Sequence, residues 1–374
     1  MHPSLRLTPF ALAALLALPA AAQEQVVKIG ITGPLSGANA FAGKDNENGV
    51  RLAVEELNAK KLTIGGKTVR FEVQSEDDQG DPKTGVVVAQ KLADAGVKFV
   101  LGPYNSGVAI PASRVYNDAG MIMSTVGTNP KITQAGYQRV FRMVASDTQA
   151  GSAMANYAAR TLKLKNVGVI DDSTAFGQGI AAEFEKEARR AGMRVAGHEH
   201  TNDKASDFAT ILTTLRAKKV DGVFFGGYAP QGAPMARQMK ALGLNAKLMG
   251  GDTLCSPEMA KLGGDAVGEN VLCAQGGAQL DKQALGPAFQ ARYQQRFKQK
   301  PDVYAASFYD QTMFIVQAMK NANSLDPAKV AAAMHGITYK GVVGSYAYDA
   351  AGNAKDSAVT IHTFRNGVPT PVAQ

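Results

Sequence analysis

The segment GPYNSG, Gly102 to Gly107, stands between the apolar run VKFVL and the helix-like stretch IPASRVY. Such a turn aims backbone N–H groups and a hydroxyl, Ser106, at one point in space. The unpaired donors and the dipole of the following helix favour an anion there. No Lys follows the second glycine, so the phosphate-loop pattern G-x-x-x-x-G-K-[ST] is not written. The anion must be named by other residues.

Other spacings suggest chemistry and weaken on inspection. Gly177, Gly179 and Ala182 have G-x-G-x-x-A spacing with Glu199 about 20 residues beyond, which is the arithmetic of a dinucleotide fingerprint. DDSTAF separates the preceding strand from the first glycine, however, whereas the fingerprint needs that glycine in the tight turn itself. A nucleotide-dependent dehydrogenase is therefore the disfavoured reading. Asn46, Asn48, Gly49 and Glu55 fall where a calcium loop wants ligands, but Lys44 occupies the first ligand position, and the segment reads as a helix start. His198 and His200 share one face of a strand and could ligate zinc, yet no third ligand is suggested nearby, so they read as exposed strand histidines. Neither G-x-S-x-G nor H-E-x-x-H occurs, which leaves catalysis without a visible carrier and indicates no cofactor. Tyr304, Phe308, Met313 and Phe314 read as core.

Alternating strand-like and helix-like segments must position the turn. VVKIGIT leads into NGVRLAVEELNAK, TVRFEVQS into TGVVVAQKLADAG, and VKFVLG into IPASRVYNDAG, with MIMST closing the series. After RVFRMVASD the rhythm restarts with NVGVID, MRVAGHEH, VDGVFFGG and KLMGG, each strand but the last followed by a helical stretch. Two such series predict an α/β fold with two lobes built on parallel sheets. Beyond Leu272 the chain reads as two long helices. The tail then reads as hairpin strands around Gly352-Asn353.

The chain has 374 residues, 45% hydrophobic and 19% charged, a length suited to two domains. Residues 1–22 combine Arg6, an apolar run from Phe10 to Leu18 and Ala20-Ala21-Ala22, the pattern of a cleaved secretory signal peptide. With no cysteine before Cys255 to accept a lipid, a free periplasmic protein is expected. Cys255 and Cys273 are the only cysteines, and pairing in an oxidising compartment stands beside the alternative of two buried thiols. The net charge of +8 is dispersed in pairs along apparent helices, which together with export argues against a nucleic-acid partner.

VVKIGITGPLSG, EDDQGDPKTGVVVAQKLADAGVKFVLGPYNSGVAIPASRVY, STVGTNPKIT and VFFGGYAP together resemble the periplasmic leucine/isoleucine/valine-binding proteins of ABC importers, which are type I periplasmic binding proteins. The likeness runs from about Val26 to the C-terminal hairpin, and TNPKIT is its most specific piece. It implies two Rossmann-like lobes joined by three crossings, residues 24–146 with 276–354 and residues 147–275 with 355–374, enclosing a ligand. At the turn, the resemblance implies a carboxylate held by the N–H and hydroxyl of Ser106 and of Thr128, with Asn105 and Gly127 in the same loops. The Val126 carbonyl would accept from the ligand ammonium, and Asp252 would be its anionic partner. Tyr228 and Phe176 would close the second lobe's wall, while Phe41 and Tyr104 would line the side-chain pocket.

Three departures from the family pattern are visible. Asp252 stands where the best-known members have Glu. Gly80 and Asn105 stand where members often carry a disulfide. The pair Cys255 and Cys273 is absent from those members. The reading is a monomeric, non-enzymatic receptor that takes a small L-amino acid, expected to be leucine, isoleucine or valine, to a membrane ABC permease. A receptor of the same fold for an aromatic carboxylate, an amide or urea is the alternative.

Overall fold

The computed structural model describes residues 24–277, 279–355 and 357–372. The export segment expected at residues 1–22 lies outside them. No helix among the described residues is long and apolar enough to cross a membrane.

The first sheet is built from β1 (Gln25–Gly33), β2 (Thr63–Ile64), β3 (Lys67–Asp77), β4 (Phe99–Leu101), β5 (Ile122–Thr125) and β6 (Val140–Arg142), in the order β2-β3-β1-β4-β5-β6. All pairs are parallel except β2 with β3. The second sheet uses β7 (Asn166–Asp171), β8 (Arg194–His200), β9 (Gly222–Gly226), β10 (Lys247–Gly250) and β11 (Val271–Gly276). A short ribbon, β12 (Tyr339–Lys340) with β13 (Ser345–Tyr346), precedes β14 (Val359–Arg365) and β15 (Val368–Pro371). The second sheet runs β15-β14-β11-β10-β9-β7-β8, antiparallel only at its β14 and β15 edge. Strands β4, β5 and β9 are buried along their whole length, as expected for parallel strands covered on both faces.

The parallel strands of the two sheets follow one order, β3-β1-β4-β5-β6 and β8-β7-β9-β10-β11. In each, the order reverses beside the first strand, and the loops at the carboxyl ends there open a crevice. The chain passes between the sheets three times: after β6, after β11 and before β14. The helices Gly286–Phe297 and Ala305–Ala322 return to pack on Ala40–Ala59 of the first half.

Three segments differ from the sequence reading. The helix carrying the calcium-like spacing spans Ala40–Ala59, so Lys44 to Glu55 lie inside it rather than at its start. Buried Asp45 is held there by the Tyr293 hydroxyl at 2.6 Å and by the Asp302 N–H. Val271–Gly276 is a strand, whose apolar run is too short to distinguish from a buried helix by periodicity. The C-terminal hairpin turns at Asn366-Gly367, both with positive φ, whereas Gly352-Asn353 closes a smaller turn bridged by Tyr348 and Ala354.

Candidate functional site

The turn after β4 is shaped by close approach. Gly102 has φ of +100°, and a Cβ there would lie 2.2 Å from the Thr32 carbonyl oxygen, so no other residue fits. The chain then enters the helix Ser106–Asp118 through Asn105, whose side chain makes no capping bond. Val108 and Ala109 donate to the Asn105 carbonyl, which leaves the N–H groups of Ser106 and Gly107 at the helix start to point out of the helix. Ser106 Oγ accepts from the N–H groups of Thr128 at 3.1 Å and Asn129 at 3.2 Å, which joins the loops after β4 and β5. A hydroxyl that accepts twice keeps its own proton free to donate, and an anion is the natural acceptor. The Thr128 N–H is thus engaged by Ser106 in this state.

From the second sheet, Phe176 lies in the first turn of the helix Ala175–Arg190, capped by Thr174 Oγ1 accepting from Gly177 N–H at 3.0 Å. Tyr228 is the N-cap residue of the helix Ala229–Ala241. Asp252 opens the short 3-10 turn Asp252–Leu254 after β10, pinned by the Thr253 hydroxyl donating to the Gly227 carbonyl at 2.6 Å. Cys255 ends that turn and is disulfide-bonded to Cys273 on β11, with 5.4 Å between Cα atoms.

These loops meet around a cavity of about 190 Å³ lined by Tyr104, Ser106, Val126, Thr128, Phe176, Tyr228, Asp252, Thr253 and Tyr304. Its aromatic wall bridges the two halves, with ring centroids of Tyr104 and Tyr228 6.1 Å apart, Phe176 and Tyr228 5.3 Å, and Tyr104 and Tyr304 6.3 Å. Asp252 is 4% exposed. The Tyr304 hydroxyl donates to its Oδ2 at 2.5 Å, while Oδ1 is buried with no partner among the described residues. Burial lifts the Asp252 carboxyl to about 6, against the pull of the Tyr304 hydroxyl. An unpaired buried carboxylate oxygen costs free energy unless a cation or donor joins it. Next to the cavity, burial pushes Asp147 up to about 8, opposed by the Thr128 hydroxyl and Arg142.

Seven of the sequence-predicted positions line the cavity together. The remaining three do not. Asn105 is buried beside the lining, its Oδ1 3.3 Å from where a Gly80 Cβ would be and its side chain hydrogen-bonded to Tyr228. Gly127 donates its N–H to Thr125 Oγ1 at 2.9 Å and shapes the loop rather than the lining. Phe41 lines a neighbouring pocket that shares Tyr104, Thr253 and Tyr304 with the cavity. Thr253 and Tyr304 were not anticipated. Tyr304 reads in sequence as one of a core stripe, and Phe308 and Phe314 are indeed buried core. Its place at a helix N-cap, next to Asp302-Val303 and ahead of the apolar run, is the only local signal that it differs.

The glycines of the dinucleotide-like spacing are packed against protein. Gly177 lies inside a helix, and a Cβ there would meet Asp172 Oδ1 at 2.1 Å and the Gly226 carbonyl at 2.5 Å. The histidine pair departs from its reading, because Asp171 supplies a third ligand type beside His198 and His200, away from the cavity.

A sequence profile of the family "Periplasmic binding protein" matches residues 26–367. The chain is 34% identical over 359 residues to "Leu/Ile/Val-binding protein homolog 1" of Brucella abortus, covering 96% of this chain and 95% of that one. It is 32% identical over 341 residues to the "Leucine-, isoleucine-, valine-, threonine-, and alanine-binding protein" of Pseudomonas aeruginosa, covering 90% of each. Among solved structures, a leucine binding protein from Thermotoga maritima is similar with a TM-score of 0.86 and 25% identity, covering 93% of this chain and 98% of that one.

Proposed function

The chain belongs to the periplasmic binding protein family, and on that premise we propose that it is an extracytoplasmic receptor that closes on a small L-amino acid. Leucine, isoleucine or valine is the ligand of this reading, delivered by a monomeric receptor to an ABC importer in the membrane. Residues 1–22 act as the cleaved export signal. The lobes are residues 24–146 with 276–354 and residues 147–275 with 355–374.

One observation carries the reading: a single small cavity holds an anion-favouring helix start at Ser106 and, from the other half, a buried carboxylate with an unpartnered oxygen at Asp252. An α-amino acid offers the complement of both, a carboxylate for Ser106 and Thr128 and an ammonium for Asp252 and the Val126 carbonyl, both borne on one α-carbon. Charge-assisted bonds at both ends favour a zwitterion over a simple acid or amide. The names of the Brucella and Pseudomonas relatives support the branched-chain class. The family is one of binding proteins, and no part of the reading calls for catalysis.

A second reading, an aromatic carboxylate, is favoured by a different observation: four rings, Tyr104, Phe176, Tyr228 and Tyr304, border the cavity. Amides and urea share this alternative class. To separate them, the mature chain is unfolded and refolded to shed ligand, then melted with leucine, isoleucine, valine, benzoate and urea. A ligand at one hundred times its dissociation constant stabilises the native state by about 2.7 kcal/mol, an easily seen rise in melting temperature. The rise is expected with the branched-chain amino acids. A rise confined to benzoate would remove Asp252 as an ammonium partner and leave the fold and the Ser106 turn in place.

A further inference from the structure

We propose that Asp171, His198 and His200 form a binding site for a divalent transition metal ion, Zn²⁺ above all, on the second sheet and outside the cleft. His198 and His200 are two residues apart on β8, the edge strand, and share a face. Asp171 ends the neighbouring strand β7 in register with His200. Its Oδ2 lies 2.8 Å from His198 Nε2 and 2.7 Å from His200 Nδ1, and the three ligand atoms fall within 4.8 Å of one another.

The donor set is held in place from behind. Asp171 is 1% exposed, and its Oδ1 accepts from the Ser173 N–H at 2.8 Å. The backbone carbonyl of Asp171 accepts from the Thr201 N–H at 2.8 Å, fixing the ends of both strands. On the far side of His198, Nδ1 lies 2.7 Å from Glu185 Oε2. Arg189 in turn bonds the other Glu185 oxygen at 2.7 Å.

The geometry suits a metal. A cation between His198 Nε2, His200 Nδ1 and Asp171 Oδ2 takes a lone pair from each imidazole and one from the carboxylate, and leaves His198 Nδ1–H to donate to Glu185. Glu185 then has the position of the outer carboxylate that orients a metal-bound histidine. Admitting an ion at about 2.0–2.2 Å from each ligand requires the three atoms to spread by roughly half an ångström. His200, with 61% of its side chain exposed, is free to make that adjustment and leaves the fourth position open to water. Two imidazoles and one carboxylate suit zinc, with nickel and copper as chemical relatives.

The test uses the refolded, untagged chain titrated with zinc chloride by calorimetry, with no amino acid present. The expected result is one saturable site, weakened tenfold or more in His200→Ala and also in Glu185→Gln, since outer partners typically contribute that much. Zinc should raise the melting temperature of the wild type and not of His200→Ala. Because His200 is mostly exposed, this variant should melt like the wild type without metal, and His200→Gln provides a second check. Absence of saturable zinc binding by the wild type, or equal affinity in His200→Ala, would overturn the site. The result is independent of which solute occupies the cleft.

Discussion

At the scale of a residue, Asp252 turns the ligand question into a pH measurement. Its carboxyl is lifted to about 6 by burial, so the free site is mostly ionised at pH 7 and mostly protonated at pH 5. An ammonium ligand needs the ionised form, and affinity for leucine should fall about tenfold between pH 7 and pH 5. A carboxylate without an amine meets the opposite situation, because protonating Asp252 removes a repulsion, and its affinity should rise over the same interval. Calorimetric titrations at the two pH values separate the cases. Asp252→Asn should flatten the leucine profile while binding becomes much weaker. A slope that survives this substitution would belong to another buried carboxyl, Asp147 beside the cavity or the Asp45 and Asp302 pair at the neighbouring pocket, all raised by burial. Stability has its own sign: protonation of Asp252 in the ligand-free fold contributes stability that is fully present below the unfolded value near 3.8. That contribution is lost as pH rises through about 6.

At the scale of an element, the disulfide from the Asp252 turn to β11 serves both folding and binding. It closes a sequence separation of 18 residues, for which loop entropy gives a stabilisation of about 3 kcal/mol. Reduction should lower the melting temperature accordingly and loosen the turn that presents Asp252, weakening leucine severalfold through lost preorganisation. Melting and calorimetry with and without reductant measure both effects. Unchanged affinity would mean that the Thr253 bond to Gly227 holds the turn by itself. Elements were the most legible part of this sequence, because apolar runs such as NVGVID and VFFG state a buried strand directly. Short mixed segments were not: VLCAQG carries polar and small residues, and its strand identity comes from pairing with Met249 on one side and His362 on the other. Tyr304 illustrates the same limit within the site. Its spacing matches its buried neighbours, and only the fold brings it from position 304 to the carboxylate at 252. Asp171 was equally hidden, since 27 residues separate it from His198 and only the parallel β7 and β8 register joins them.

At the scale of the molecule, one buried apolar cluster runs through both halves, taking in Leu101 and Tyr104 on one side and Phe176, Tyr228 and Phe224 on the other, and polar contacts cross beside it. Asn129 Nδ2 donates to the Ala175 carbonyl at 2.7 Å, the Ser256 hydroxyl to Asp302 at 2.7 Å, and the Tyr304 hydroxyl to Asp252. This is a closed arrangement, and ligand that contacts both halves must favour it over an open one. Of the three contacts, the Tyr304 bond is made to a carboxylate that also borders the cavity, so closure and ligand binding share one group. Tyr304→Phe leaves Asp252 buried on closing without that donor, at a cost of about 1.5–3 kcal/mol for a bond to a charged group. The open form, in which the halves are apart, does not feel the loss. Leucine affinity should therefore drop by tenfold or more through a closing equilibrium that is less favourable, while the melting temperature of the ligand-free chain stays near that of the wild type. Small-angle scattering checks the cause: the variant should need more leucine to reach the same decrease in radius of gyration, yet reach the same final value. A variant that compacts at wild-type leucine concentrations would show that the Asn129 and Ser256 contacts hold the halves together, with Tyr304 serving as a wall of the cavity alone.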